Sequence, residues 1–272
     1  DSFKDALDVS KVPSSVWLRQ RLEKLPPELR EKTDDLSVRL LKRLEAPITA
    51  EEGYVCLDFD TVVLDNSGTK KEWVSRTYQD MDGYTPIAAY PGNEGWCLAL
   101  ELCPGSQHSA LETHYFPERV LPRARAEECR RFDYLVKWNP RKQDMDEWVA
   151  RADEAEARVE EHPGKRVALL DLSVERAWQK EKRPFRRIVR LIERPLGAKG
   201  QHLLQPDYTL EGRWTSLTET PEQEVIARYR KHATHEQFHS EFKTDVDLER
   251  LPSGKFDCND LIVHLGQFAY NL

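Results

Sequence analysis

Apolar and polar positions change rhythm several times along the 272 residues. The first segment, 14–50, is helical: Trp17, Leu18, Leu22 and Leu25 fall at helical spacing, Ser14 and Ser15 can cap a helix, and Pro26–Pro27 ends it. A second helix is predicted over Leu36–Leu44, closed by Pro47. From Tyr54 to Leu64 the chain reads YVCLDFDTVVL, a β-rich run with Asp58 and Asp60 set into it. A polar connection, Asp65–Thr85, carries turn signals at Asn66-Ser-Gly and Asp82-Gly. Pro86–Tyr90 and Gly95–Leu102 follow as two strands joined by Pro91-Gly-Asn-Glu, so three antiparallel strands in a row is the simplest topology. A helix is expected over Phe116–Arg131, a strand over Phe132–Trp138, and a helix over 144–161. The pattern alternates in β fashion from Lys165 to Leu217. Thr220-Pro-Glu-Gln supplies a cap and a first-position proline for a long helix. Pro252-Ser-Gly breaks the chain before a last apolar helix, Asn259–Leu272.

This order predicts an α/β chain in four parts. Residues 1–50 form a helical N-terminal region and 51–143 the first part of a core. Residues 144–219 form a linker helix and a β-rich insertion, and 220–272 return to the core. The chain starts at Asp1 rather than methionine, so both its N-terminus and the final helix are expected to be cut. No apolar run approaches the roughly 18 residues that span a membrane, and no membrane partner is expected.

Composition narrows the reading. The chain is 33% charged and 39% apolar, which suits a globular protein with a full core. Cys56, Cys97, Cys103, Cys129 and Cys258 are scattered and include no C-x-x-C pair, so reduced cytoplasmic thiols are expected. A net charge of −7 by itself disfavours a nucleic-acid binder. The cations are clustered, however: Lys180, Lys182, Arg183, Arg186, Arg187, Arg190 and Arg194 make one group. Arg119, Arg123, Arg125, Arg130 and Arg131 make a second, and Lys137, Arg141 and Lys142 a third. Such patches either bind phosphate or are ordinary solvated charge.

Asp58 and Asp60 share one strand face. Acids inside an apolar strand are costly unless paired, solvated at an edge, or bound to a cation such as Mg²⁺. Late in the chain, Tyr229, His232, Glu236 and Lys243 are spaced by three, four and seven residues. On a single helix they would lie within an arc of about 60°. That stripe is either a solvated polar face or a surface for metal ions and phosphates. An early strand acid and Glu236 can meet at one site of two-metal phosphoryl transfer, with ions about 3.5–4 Å apart. A competing pattern overlaps it: His235-Glu236-Gln-Phe-His239 spells the zinc-peptidase H-E-x-x-H. No glycine and third histidine follow at metzincin spacing, and no glutamate lies further downstream than Glu249.

The stretch Tyr229-x2-His232-x3-Glu236-x6-Lys243 resembles the Y-(2)-R-(3)-E-(6)-K signature of DDE transposases from bacterial insertion sequences, with histidine in place of arginine. The blocks VPSSVWLRQRL, LDFDTVVLDNSGTKKE, SRTYQDMDGYTPIAAY, ELCPGSQHS, FDYLVKWNPRKQ and HATHEQFHSEFKTDVDLERLPSGKF are similar, in order, to the subgroup called transposase DDE domain group 1. The resemblance implies an RNase H-like fold: a mixed five-stranded sheet with flanking helices, and a β-rich insertion before the last catalytic helix. It implies catalytic Asp60, with Asp58 as the alternative, and catalytic Glu236, the two holding two Mg²⁺ or Mn²⁺ ions. Tyr229, His232 and Lys243 would contact DNA phosphate near the cut end. The implied partners are double-stranded DNA, as terminal inverted repeats and target, and a second copy in a homodimer on DNA. The implied place is the bacterial cytoplasm, at the nucleoid, with residues 1–50 as an accessory DNA-binding region.

One element of that pattern is absent. The second catalytic aspartate should lie in a segment like L-x-R-x-D-S-G between Arg119 and Phe132. Here the chain reads RVLPRARAEECRRFDYLV, with no aspartate before Asp133. Asp133 opens the expected fifth strand and Asp171 lies in the insertion, so neither replaces it. The chain thus reads as one lacking an internal segment or as a decayed copy. Trp73 and Cys103, where the subgroup tends towards glycine and arginine, lean towards drift. Loss of a bridging carboxylate is expected to abolish or weaken two-metal catalysis.

Overall fold

The computed structural model describes residues 11, 13–24, 28–107, 114–125, 132–178, 180–197, 199–231 and 235–272. In chain order it begins with α1 (Ser15–Leu22), α2 (Glu28–Arg43), β1 (Leu57–Thr61), β2 (Leu64–Asp65), β3 (Ser75–Arg76), β4 (Asp82–Tyr84), β5 (Ile87–Pro91), β6 (Ala99–Glu101) and α3 (Tyr115–Ala124). Then come β7 (Leu135–Trp138), α4 (Met145–Glu154), β8 (Arg158–His162), β9 (Lys165–Trp178), β10 (Glu181–Leu196), β11 (His202–Thr215) and α5 (Glu222–Lys231). Helices α6 (His235–Thr244) and α7 (Phe256–Tyr270) close the chain. The fold is mixed α/β and divides into two compact units, residues 1–128 with 234–272, and residues 129–233. The boundaries expected from sequence stood at 143/144 and 219/220.

In the first unit β1, β5 and β6 form an antiparallel sheet in that order, and β2, β4 and β3 a smaller one. The larger sheet is covered on both faces. Leu57, Phe59, Ile87, Ala89 and Ala99 pack towards Leu41 of α2 and Phe116 and Val120 of α3. Ala88, Tyr90 and Leu100 pack towards Phe238 and Phe242 of α6 and Val263 of α7. The alternation of strand side chains places Asp58 and Asp60 on this second face.

Helix α2 starts well before the expected Leu36, because its polar positions are buried rather than solvated. Asp34 and Ser37 are 1% and 0% exposed. Asp34 accepts from the His264 ring at 2.5 Å and from Arg123 at 2.8 Å. Ser37 accepts from Gln267 at 3.1 Å and Asn271 at 2.8 Å. Asp260 pairs with Arg30 and accepts the Leu102 N–H at 3.0 Å. These bonds fasten α2 to α7 and to the sheet.

In the second unit five antiparallel strands run β7-β11-β10-β9-β8. One face packs on α4 through Trp138, Trp148, Ala152, Leu170 and Val189. On the other, Ile188 packs with Val225 and Ile226 of α5. Two expectations are corrected here. The helix expected over 144–161 stops at Glu154, since Glu156 takes a left-handed φ of 47° and returns the chain as β8. Strand β7, expected as the fifth of the core sheet, pairs instead with β11, from Gly212↔Trp138 to Thr215↔Leu135. A side chain at Gly212 would meet the Trp138 ring at 2.2 Å, so the glycine is what admits this indole to the unit's core. Every strand pairing among the described residues is antiparallel, in place of the expected mixed sheet. Among them, no helix is long and apolar enough to cross a membrane.

Candidate functional site

The site is built on β1 and α6. Bonds from Val62 N–H to Pro86 O (3.0 Å) and from Gly92 N–H to Cys56 O (2.8 Å) bracket the β1–β5 ladder. Continuing that alternation inward, Asp58 and Asp60 carry the backbone groups bonded to β5, opposite Tyr90 and Ala88. Leu57, Phe59 and Thr61 point theirs at the outer edge, where no strand pairs among the described residues. At this edge the Asp60 Oδ1 accepts the Thr61 N–H at 2.8 Å, and the Tyr78 hydroxyl donates to Thr61 O at 3.4 Å.

Helix α6 lies against the face that carries the acids. Tyr90 meets Phe238 at 5.4 Å, His239 at 5.6 Å and Phe242 at 6.3 Å between ring centroids. Gly95 allows this seat: its φ is +91°, and a Cβ there would meet the Phe238 ring at 2.8 Å. Phe242 stacks on Tyr270 of α7 at 4.1 Å, and the Tyr270 hydroxyl donates to Glu241 at 2.7 Å. The result brings His239 Nδ1 to 3.9 Å from Asp60 Oδ2. The His239 side chain is 10% exposed and that of Asp60 50%, so the pair spans from core to surface.

Electrostatics mark the same spot. Burial, and then the Asp60 charge, push the Tyr78 phenol above its usual range. Tyr90 is raised by burial first, with the Asp60 and Asp58 carboxylates among the further causes. The thiol of Cys56, just before β1, is pushed up to about 12 by burial, then by Asp58 and Glu51.

The expected site residues are distributed as follows. Asp58 and Asp60 share the α6-facing side of β1. Glu236 lies in the first turn of α6, one helical turn before His239 and two before Lys243, which is half-buried. The side chains of Glu236 and His235, and all of His232, lie outside the described residues. Tyr229 is on α5, in the second unit, where the Arg213 guanidinium stacks on its ring at 4.4 Å. The stripe expected on one long helix falls on Glu222–Lys231 and His235–Thr244, with residues 232–234 outside the described residues. Asp133 accepts from Ser216 at 2.8 Å, and Asp171 is held by Arg186 at 2.8 Å; both belong to the second unit. Among the described residues no three His, Cys, Asp or Glu side chains form a group that could hold a metal ion.

Sequence reasoning missed His239 as the neighbour of Asp60, and Tyr78 altogether. His239 was legible in principle: Phe238 and Phe242 define the inward face of α6, and His239 falls between them. Nothing in the sequence marks Tyr78.

No protein-family model matches this chain, and no curated protein matches it.

Proposed function

We propose that the chain is a DDE transposase of the insertion-sequence type, with an RNase H-like core, acting in Mg²⁺-dependent DNA strand cleavage and strand transfer. The observation that carries this reading is the approach of α6 to β1, with His239 3.9 Å from Asp60. It sets the helix bearing Glu236 beside the strand bearing the early acids. Carboxylate oxygens are the donors that Mg²⁺ prefers, and Asp58, Asp60 and Glu236 are residues of that type. The Asp60 side chain is half-exposed, so its carboxylate is open to a ligand from solvent.

Asp60 and Glu236 would hold two Mg²⁺ or Mn²⁺ ions, with Asp58 as the alternative acid. When bound, such a pair activates an attacking oxygen and stabilises a leaving one. His239, wedged against Tyr90, limits where the Asp60 carboxylate can turn. Lys243, two turns beyond Glu236, offers a flexible cation to a DNA phosphate. Tyr229 and His232 take the signature's remaining phosphate contacts. The substrate is double-stranded DNA, as terminal repeats and target, bound by a homodimer in the bacterial cytoplasm at the nucleoid.

A second reading, a DNA-binding transposase remnant without catalysis, is favoured by one observation: no aspartate stands between Arg119 and Phe132. A nicking assay on duplexes carrying the element's terminal repeat separates the two. Mg²⁺-dependent nicking that is lost in Asp60→Asn and Glu236→Gln supports the transposase. Binding without nicking supports the remnant. Nicking unchanged in both variants refutes the assignment of the acids.

A further inference from the structure

The seven basic residues between Lys180 and Arg194 do not make one patch. Within β10, Arg183 pairs with Glu181 at 3.1 Å and Arg186 with Asp171 at 2.8 Å. Arg190 pairs with Glu161 at 3.1 Å and Glu211 at 3.6 Å, and Arg194 donates to Thr209 at 3.0 Å. Arg187 meets neither a carboxylate nor a hydroxyl among the described residues. It meets three indoles instead, with its Cζ 4.4 Å from the Trp138 centroid, 5.1 Å from Trp214 and 5.2 Å from Trp148.

The strand register explains the cluster. Arg187 lies opposite Trp214 across the β10–β11 ladder, and Trp138 lies opposite Gly212, two residues along the same face. Arg176 of β9 stacks on Trp214 at 5.3 Å, and Arg151 of α4 stacks on Trp148 at 5.2 Å. Three guanidinium groups thus crowd three indoles at the end of the face that α4 covers. Burial, then the charges of Arg151 and Arg176, lower the proton affinity of Arg187. Arg187 Nε and Trp148 Nε1 are buried donors with no acceptor among the described residues. Glu147 answers Arg151, at 2.6 Å, and no carboxylate answers Arg187 or Arg176 there.

Ring contacts ease the burial of a cation but supply no counter-charge and fill no N–H. An oxyanion does both, and the planar fork of arginine matches phosphate with two parallel bonds. We propose that Arg187 and Arg176, whose guanidinium groups both lie against the Trp214 ring, form a phosphate-oxyanion site that takes a backbone phosphate of DNA. The choice of DNA as the phosphate source rests on the function proposed above, whereas the oxyanion site rests on the cluster alone.

The test uses the whole chain without Mg²⁺, so that strand cutting does not enter the readout. Tryptophan emission is titrated with inorganic phosphate and, separately, with short duplexes of unrelated sequence. Both are expected to change the emission of the wild type. Arg187→Met should abolish the phosphate response, weaken every duplex roughly tenfold, and lower the slope of log affinity against log salt by about one. Arg187→Lys should recover part of the charge effect but not the stacked geometry. Arg176→Gln, at an exposed position, guards against a folding defect at Arg187 and should weaken both ligands in the same sense. Wild-type responses in folded Arg187→Met and Arg176→Gln would overturn the site and leave the proposed function standing. A phosphate response without duplex binding would overturn DNA as the source and keep the oxyanion site.

Discussion

Replacing Asp34 by asparagine tests what holds the first unit together. The carboxylate is 1% exposed and accepts from His264 at 2.5 Å and Arg123 at 2.8 Å. Each charge-assisted bond contributes about 1.5–3 kcal/mol. Removing one member of a buried ion pair costs about 3–5 kcal/mol, because the partner charge stays buried. Two such bonds come to about 3–6 kcal/mol, which overlaps that cost. Amide exchange read on peptides from α2 and α7 should therefore quicken by roughly two to four orders of magnitude, at 1.4 kcal/mol per decade. The pH dependence has a definite sign. Burial works to raise the Asp34 pKa, but the His264 hydrogen bond and charge, then Arg123 and Arg119, outweigh it and hold it below the ordinary 3.8. A depressed folded-state pKa gives stability that is present above the unfolded value and is lost as pH falls through the folded one. The difference between wild type and Asp34→Asn should thus be full at neutral pH and close as the pH drops below about 4. A variant within about 1 kcal/mol of wild type at pH 7, or a difference that persists unchanged at pH 3, would refute this account.

Three further outcomes are expected. Gly95→Ala combines a φ of +91° with a Cβ that meets Phe238 at 2.8 Å, and should destabilise the first unit by about 1–3 kcal/mol, measured by denaturant titration. Phe242→Ala removes a ring that is 1% exposed, and should cost about 3–5 kcal/mol and raise amide exchange along α6. Burial first, and neighbouring carboxylates after it, push the Cys56 and Cys103 thiols up to about 12. Their peptides should alkylate far more slowly at pH 8 in the native protein than in urea, as read by mass spectrometry.

Local rhythm made much of the fold legible. The alternation around Asp58 and Asp60 corresponds to β1, and the turn at Pro91-Gly-Asn-Glu joins β5 to β6. Tertiary choices were not legible. Ala- and Glu-rich composition favoured helix beyond Glu154, yet residues 158–162 pair with β9, because propensity yields to a neighbouring strand. Leu135–Trp138 reads as a strand, but nothing in its own letters says which sheet receives it; Gly212, more than 70 residues later, decides that. At the site, spacing singled out Glu236 and Lys243, while the inward turn of His239 depends on Tyr90, a residue of a distant strand. Nothing in the α2 sequence marks Asp34 and Ser37 as buried, since their partners on α7 are far away in sequence.

That distance bears on how the chain is made. Asp34 and His264 are separated by 230 positions, and the whole second unit lies between them. The second unit is dominated by the adjacent β9–β10 and β10–β11 pairings, which need only short loops to close. At about 5–20 residues per second, roughly 10–50 s pass on the ribosome between the emergence of Asp34 and that of His264. Through that interval the second unit can complete its hairpins while α2 presents Asp34 and Ser37 without the helix that will cover them. The first unit is therefore expected to be the last to fold, and the one that depends most on protection from misassembly during synthesis.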